Sequence, residues 1–149
     1  MPKGFSLVET MITVALLLAL VGGGGILSAR YLRGRYVRAS AETLLSELRA
    51  AQGEARAQLG DAAHGVKAFP DRVVRFTGDS YAARASASDV TTALPAAIAI
   101  EGADEAVFPK GGVAPASPAT FTFSDPHLTV DVAVSAYGLI TLTPRPISD

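Results

Sequence analysis

The sequence predicts an α+β protein: a long N-terminal helix, membrane-spanning in its first half and amphipathic in its second, packed on a C-terminal, mainly antiparallel β-sheet head. Three observations predict it. From Phe5 to Ala29 the only formally charged side chain is Glu9. From Leu32 to Leu59 apolar residues recur at three- and four-residue steps, the period of one helix face. From Val66 onward short runs alternate apolar and polar residues between turn-forming residues, the pattern of half-buried strands.

The chain has 149 residues, no cysteine and a formal net charge of -1. That length has room for one apolar segment and one modest head. Without cysteine there is no disulfide framework and no thiolate metal site, and the redox compartment stays open. The charge is divided along the chain. Residues 30–56 carry Arg30, Arg33, Arg35, Arg38, Arg49 and Arg56 against Glu42, Glu47 and Glu54, whereas acidic side chains outnumber basic ones in 57–149. Nucleic acid is therefore not the obvious partner of the head.

Residues 1–4 form a short tail with one lysine, Lys3. Residues 5–29 read as a transmembrane apolar helix, which at about 1.5 Å per residue reaches roughly 37 Å. A bilayer core needs about 30 Å. A cleavable secretory signal would use Gly24, Ile26 or Ser28 with Ala29 as its cut site, but Glu9 and Thr10 fall in its apolar core. A plain anchor accounts for length and leaves Glu9 unexplained, since a carboxylate at a membrane helix centre costs about 2.5–3.5 kcal/mol and less near the end. Gly22, Gly23, Gly24 and Gly25 each cost a helix about 1 kcal/mol relative to alanine. They predict a weak turn that bends or stretches, or a site of close helix packing.

Residues 30–60 read as the amphipathic continuation of the same helix, with Leu32, Tyr36, Val37, Ala41, Leu44, Leu45, Leu48, Ala51, Ala55 and Leu59 on its apolar face. No capping signal marks a fresh start. Gly60, Asp61, His64 and Gly65 end it. Leu44, Leu45 and Leu48 are expected to press onto the head. The β-rich head covers 66–149, with strands read in VKAF, VVRFTG, SYAARA, IAIEG, AVFPKGG, ATFTFSD, LTVDVAVSAYG and LITLTP. Alternation is clearest in Thr120 to Phe123, Leu128 to Val134 and Leu139 to Leu142, and Pro109 to Pro118 reads as a loop.

The string KGFSLVET, residues 3–10, resembles the prepilin signature of type IV pilins and of type II secretion pseudopilins: a short basic leader ending in Gly4, then Phe5, then Glu9 five residues past the cut. The resemblance implies that a prepilin peptidase cuts between Gly4 and Phe5 and that the new amine of Phe5 is N-methylated. It places the chain in the bacterial inner membrane as a single-pass protein with its head outside, and then in a pilus or pseudopilus. Its implied partners are the prepilin peptidase, other pilin or pseudopilin subunits, the inner-membrane assembly platform and membrane lipid. Positive-inside counting of Arg30, Arg33, Arg35 and Arg38 gives the opposite orientation, and the resemblance is followed. The closing pattern FTF, loop, LTVDVAV, turn, LITL is similar to the last strands of the H-type minor pseudopilin.

Glu9 has a physical role under this reading. A carboxylate near a helix N-terminus is favoured, and in a packed assembly it meets the Phe5 amine of a neighbour in dry surroundings, which sets axial register. The competing reading is a carboxylate that reaches the headgroups.

No constellation predicts catalysis or a cofactor. His64 and His127 are expected to be solvated loop residues without zinc spacing. Ser124, Asp125 and His127 lack a nucleophile elbow. Asp104, Glu105, Asp125 and Asp131 lack calcium-loop spacing. The expected function is a structural subunit. One alternative is a minor pilin whose head binds DNA, through a cluster of Lys67, Arg72, Arg75 and Arg84 on one sheet face, or binds an exported substrate. A membrane-tethered enzyme, which needs a deep pocket, is the other.

Overall fold

A computed structural model describes residues 6–95, 98–126 and 128–146, with side chains described outside 20–33 and 146. The chain divides into two compact units, Met1–Arg33 and Gly34–Asp149. Helix α1 is bounded by Leu7–Arg56. Its described side chains form two short stretches, 7–19 and 34–56, one in each unit.

In the first unit Ser6 caps the helix: its Oγ accepts the Glu9 backbone N–H at 3.3 Å. Serine followed three residues later by glutamate is the spacing of a capping box. The hydroxyls of Thr10 and Thr13 bond back to the carbonyls of Leu7 and Glu9 at 2.8 and 2.7 Å, so both polar side chains are satisfied on the helix itself.

The expected membrane span is corrected here. Among the described residues no helix is long and apolar enough to cross a membrane. The transmembrane helix over 5–29, the single-pass inner-membrane placement and the picture of one long apolar helix on a β head are overturned by that finding. Only the stretch 34–56 belongs to the unit that holds the sheets.

In the second unit Val37, Ala41, Leu44, Leu48, Ala51 and Ala55 are at most 2% exposed. Their spacing of four and three residues makes one buried stripe. The helix stops at Arg56, before the expected Gly60, because Gln58 takes a left-handed conformation with φ 54 and ψ 36. Leu59 thus lies past the helix end and is exposed, and Tyr36 sits at the edge of the stripe.

Eight strands follow: β1 His64–Phe69, β2 Arg72–Thr77, β3 Val90–Ala93, β4 Ala99–Gly102, β5 Glu105–Phe108, β6 Ala119–Ser124, β7 Leu128–Val134 and β8 Ile140–Pro146. They form two four-stranded antiparallel sheets, ordered β3-β2-β1-β5 and β4-β6-β7-β8. Alternation puts Phe121, Phe123, Val130 and Val132 inward, where they join Val66, Val73, Phe108 and the helix stripe in a single core. SYAARA is not a strand. It forms a strap in which the Tyr81 ring lies edge-on to Phe69 and Phe76, at 5.5 and 5.6 Å between centroids.

The chain changes sheets between β4 and β5. Gly102 turns it with φ 88, Ala103 N–H donates to the Thr120 carbonyl at 2.8 Å, and a Cβ on Gly102 would stand 2.4 Å from that oxygen. Gly102→Ala is expected to lower stability by about 2 kcal/mol. Gly53→Ala, on an exposed helix turn where a Cβ meets nothing within 4 Å, is expected to raise it by up to about 1 kcal/mol. Thermal unfolding of the two variants beside the parent checks both signs.

Candidate assembly surface

In the stretch 7–19 the large apolar side chains Leu7, Val8, Met11, Ile12, Val14, Leu16, Leu17 and Leu18 are between 55 and 78% exposed. At 100° per residue Ser6, Glu9, Thr10 and Thr13 share one sector of about 100°, with Leu17 among them, while the other seven large apolar side chains spread over about 200° of the circumference. Each such side chain forgoes about 1.5–3 kcal/mol available from full burial. Glu9 lies in the first turn, exposed among them. Its backbone N–H is held by Ser6, and among the described residues its carboxylate has no hydrogen bond or ion pair. The sequence signal for this cap is Ser6 three residues ahead of Glu9 within the motif. Gly4 and Phe5 lie outside the described residues, and Gly22, Gly23, Gly24 and Gly25 belong to the stretch whose side chains are not described.

The head presents its own charged architecture. Arg75 on β2 pairs in register with Val66 and so points to the helix side of its sheet. Its Nε donates to Glu47 Oε2 at 2.9 Å, and its terminal nitrogen binds Glu54. Thr92 on β3 donates to the other Glu47 oxygen at 2.8 Å. His64 is 5% exposed, contrary to its expected place in a solvated loop. Its Nδ1 lies 3.3 Å from Glu54 Oε2, and its Nε2 is 2.8 Å from the Leu59 carbonyl. These contacts tie helix to sheet at the flank of the apolar stripe. Gln52 adds a second tie, donating to the carbonyls of Val113 and Gly138, each at 2.7 Å.

The one-face basic cluster required for DNA does not form. Arg75 is spent on the helix side, while Lys67 and Arg72 lie on the outer face with the strap residue Arg84. Lys67 pairs with Asp104 at 2.6 Å, Arg72 with Asp71 at 2.9 Å and Arg84 with Asp89 at 2.7 Å. Arg84 also stacks on Tyr81, 3.7 Å from the ring centroid. The hydrogen bond from Lys67 holds the Asp104 carboxyl below its usual pKa. That contribution is present above the unfolded-state pKa and is lost as pH falls through the folded one; the exposed position of Asp104 keeps it small.

The other carboxylates considered in sequence are apart from one another. Glu105 accepts the Tyr81 N–H at 3.2 Å, Asp125 the Leu128 N–H at 2.7 Å, and Asp131 the Thr122 hydroxyl at 2.9 Å. Among the described residues no group of three His, Cys, Asp or Glu is placed to hold a metal ion. His127 lies outside the described residues.

No family model matches the chain, and no curated protein or solved structure matches it.

Arg75→Ala strands two carboxylates that are half-buried, and is expected to lower stability by about 2–3 kcal/mol. Lys67→Ala, at an outer-face pair, is expected to lower it by less than about 1 kcal/mol. Chemical denaturation of both variants, read at constant m, measures the difference.

Proposed function

We propose that the chain is a structural subunit of a type IV pilus or type II secretion pseudopilus, cut by a prepilin peptidase between Gly4 and Phe5, N-methylated at Phe5, and assembled through the segment that begins at Leu7. The observation that carries this reading is the exposed apolar surface of residues 7–19, which spreads over most of the helix circumference and directly follows KGFSLVET. So broad an exposed apolar face needs a cover. Copies of the same segment packed together supply it, and the Phe5 amine of one copy supplies the charge that the Glu9 carboxylate of another lacks.

The Ser6 cap fits this arrangement. It satisfies the backbone at the helix start with a hydroxyl, so the carboxylate of Glu9 is left to act between subunits. In this reading the chain is a substrate of the peptidase and carries no reaction of its own. Other subunits and an assembly platform are its partners. DNA is not favoured, since Lys67, Arg72, Arg75 and Arg84 each have a carboxylate partner within the chain.

Glu9→Ala and Glu9→Gln test the reading in cells that carry the assembly machinery. A dry, unpaired amine costs about 3–5 kcal/mol, so both variants should be processed normally and lose filaments by about a hundredfold or more in the sheared fraction. Normal filament yield from either variant would sink the role given to Glu9.

A further inference from the structure

The uncompensated charges of the head are segregated by sign. Lys67, Arg72, Arg75, Arg84, Lys110 and Arg145 each pair with a carboxylate. On the outward side of helix 34–56, Arg38 takes up Glu42 at 2.9 Å, while Arg49 and Arg56 are exposed with no ion pair among the described residues. On the sheets, exposed Glu101 likewise has no partner among the described residues.

Glu101 sits on the outer face of the second sheet. The register aligns Glu101 with Thr122, Thr122 with Asp131, and Asp131 with Thr143, in one rank across β4, β6, β7 and β8. The flanking ranks are Thr120, Ala133 and Thr141, and Ser124, Thr129 and Arg145. The inward positions between them carry the buried Phe121, Phe123, Val130 and Val132. The outer face is therefore rich in hydroxyls, and its middle rank carries Glu101 and Asp131, the latter paired with Arg145.

Two spacings agree. Arg49 and Arg56 are seven residues apart on a helix, about 10.5 Å. Glu101 and Asp131 are two strand steps apart, about 9.6 Å. Gly53 lies between the two arginines on the same exposed side, and a Cβ there would meet nothing within 4 Å, so no packing among the described residues calls for glycine. A glycine in mid-helix costs about 1 kcal/mol. Its use is explained by a surface that approaches the helix backbone closely from outside.

We infer that the outward face of helix 34–56 in one copy docks across the outer face of sheet β4-β6-β7-β8 in a second copy, with Arg49 and Arg56 over Glu101 and Asp131 and Gly53 against the threonine rank. Asp131 then shares its carboxylate between the incoming guanidinium and its own Arg145. The two surfaces are different patches of one molecule, so the contact is heterologous and repeats from copy to copy instead of closing on a pair. This contact rests on the reading of the chain as an assembling subunit and adds a head-to-head interface to it.

The absence of native cysteine makes the contact directly readable. Full-length chains carrying Arg49→Cys or Arg56→Cys are produced in the same cells as chains carrying Glu101→Cys and oxidised mildly. One of the two pairings should cross-link at least about tenfold faster than the control pairing with Asp79→Cys, because docking raises the effective concentration of that pair alone. Adding Gly53→Phe to the helix-bearing copy should abolish the excess without lowering the thermal midpoint. Cross-linking no faster than the control for both pairings, or insensitivity to Gly53→Phe, would overturn the contact. Filaments without the cross-link strike the contact alone, and the cross-link in chains that retain Met1 supports the contact while striking the processing that the assembly reading requires.

Discussion

The head is organised by the stripe Val37, Ala41, Leu44, Leu48, Ala51 and Ala55, which is buried almost completely and shares one core with both sheets. A four-stranded sheet with one apolar face needs a cover, and two such sheets need a common one. The small residues of the stripe, Ala41, Ala51 and Ala55, let the backbone come close, and the larger Leu44 and Leu48 fill the space against phenylalanines and valines. At the flank of that stripe, Arg75 between Glu47 and Glu54 ties strand β2 to the helix, with Thr92 and His64 completing the partners of the two carboxylates. Removing the arginine would leave two acids against a low-dielectric wall, so the ion pairs fix where along the helix the first sheet sits.

The stretch 7–19 obeys the opposite logic. Its apolar side chains are as large as those of the core, yet the chain buries none of Leu7, Val8, Met11 or Ile12. A segment that is capped by Ser6, satisfied at Thr10 and Thr13, and apolar over most of its circumference is built as a helix first and covered by something else afterwards. In the proposed assembly that cover is other copies of the same segment. The head adds a weaker, charge-guided contact, so the strong interaction is non-directional and the weak one gives direction.

Parts of this were legible in the sequence and parts were not, for physical reasons. Strands β6, β7 and β8 each have one wet face and one dry face, so Thr120 to Phe123 and Leu128 to Val134 alternate visibly. Strand β3, Val90–Ala93, is exposed on nearly every residue and carries no such signal. SYAARA lies between turn residues as a strand would, but the Tyr81 ring is clipped against Phe69 and Phe76 from a strap. The ties of Arg75 to Glu47 and Glu54 join residues far apart in the chain, and His64 is buried only because the chain doubles back past Leu59. Those facts belong to tertiary structure and no local pattern announces them. The apolar content of 5–29 predicts a membrane span, whereas among the described residues no helix is long and apolar enough to cross a membrane.

The central claim is that Phe5 becomes the first residue of an assembling subunit, which requires that the chain be cut at one bond. Mass spectrometry of the N-terminal peptide, from cells that contain a prepilin peptidase, reads this directly. The account predicts a peptide that begins at Phe5 and carries an N-methyl group. A peptide that retains Met1, or one that begins after a cut near Ala29, would contradict it.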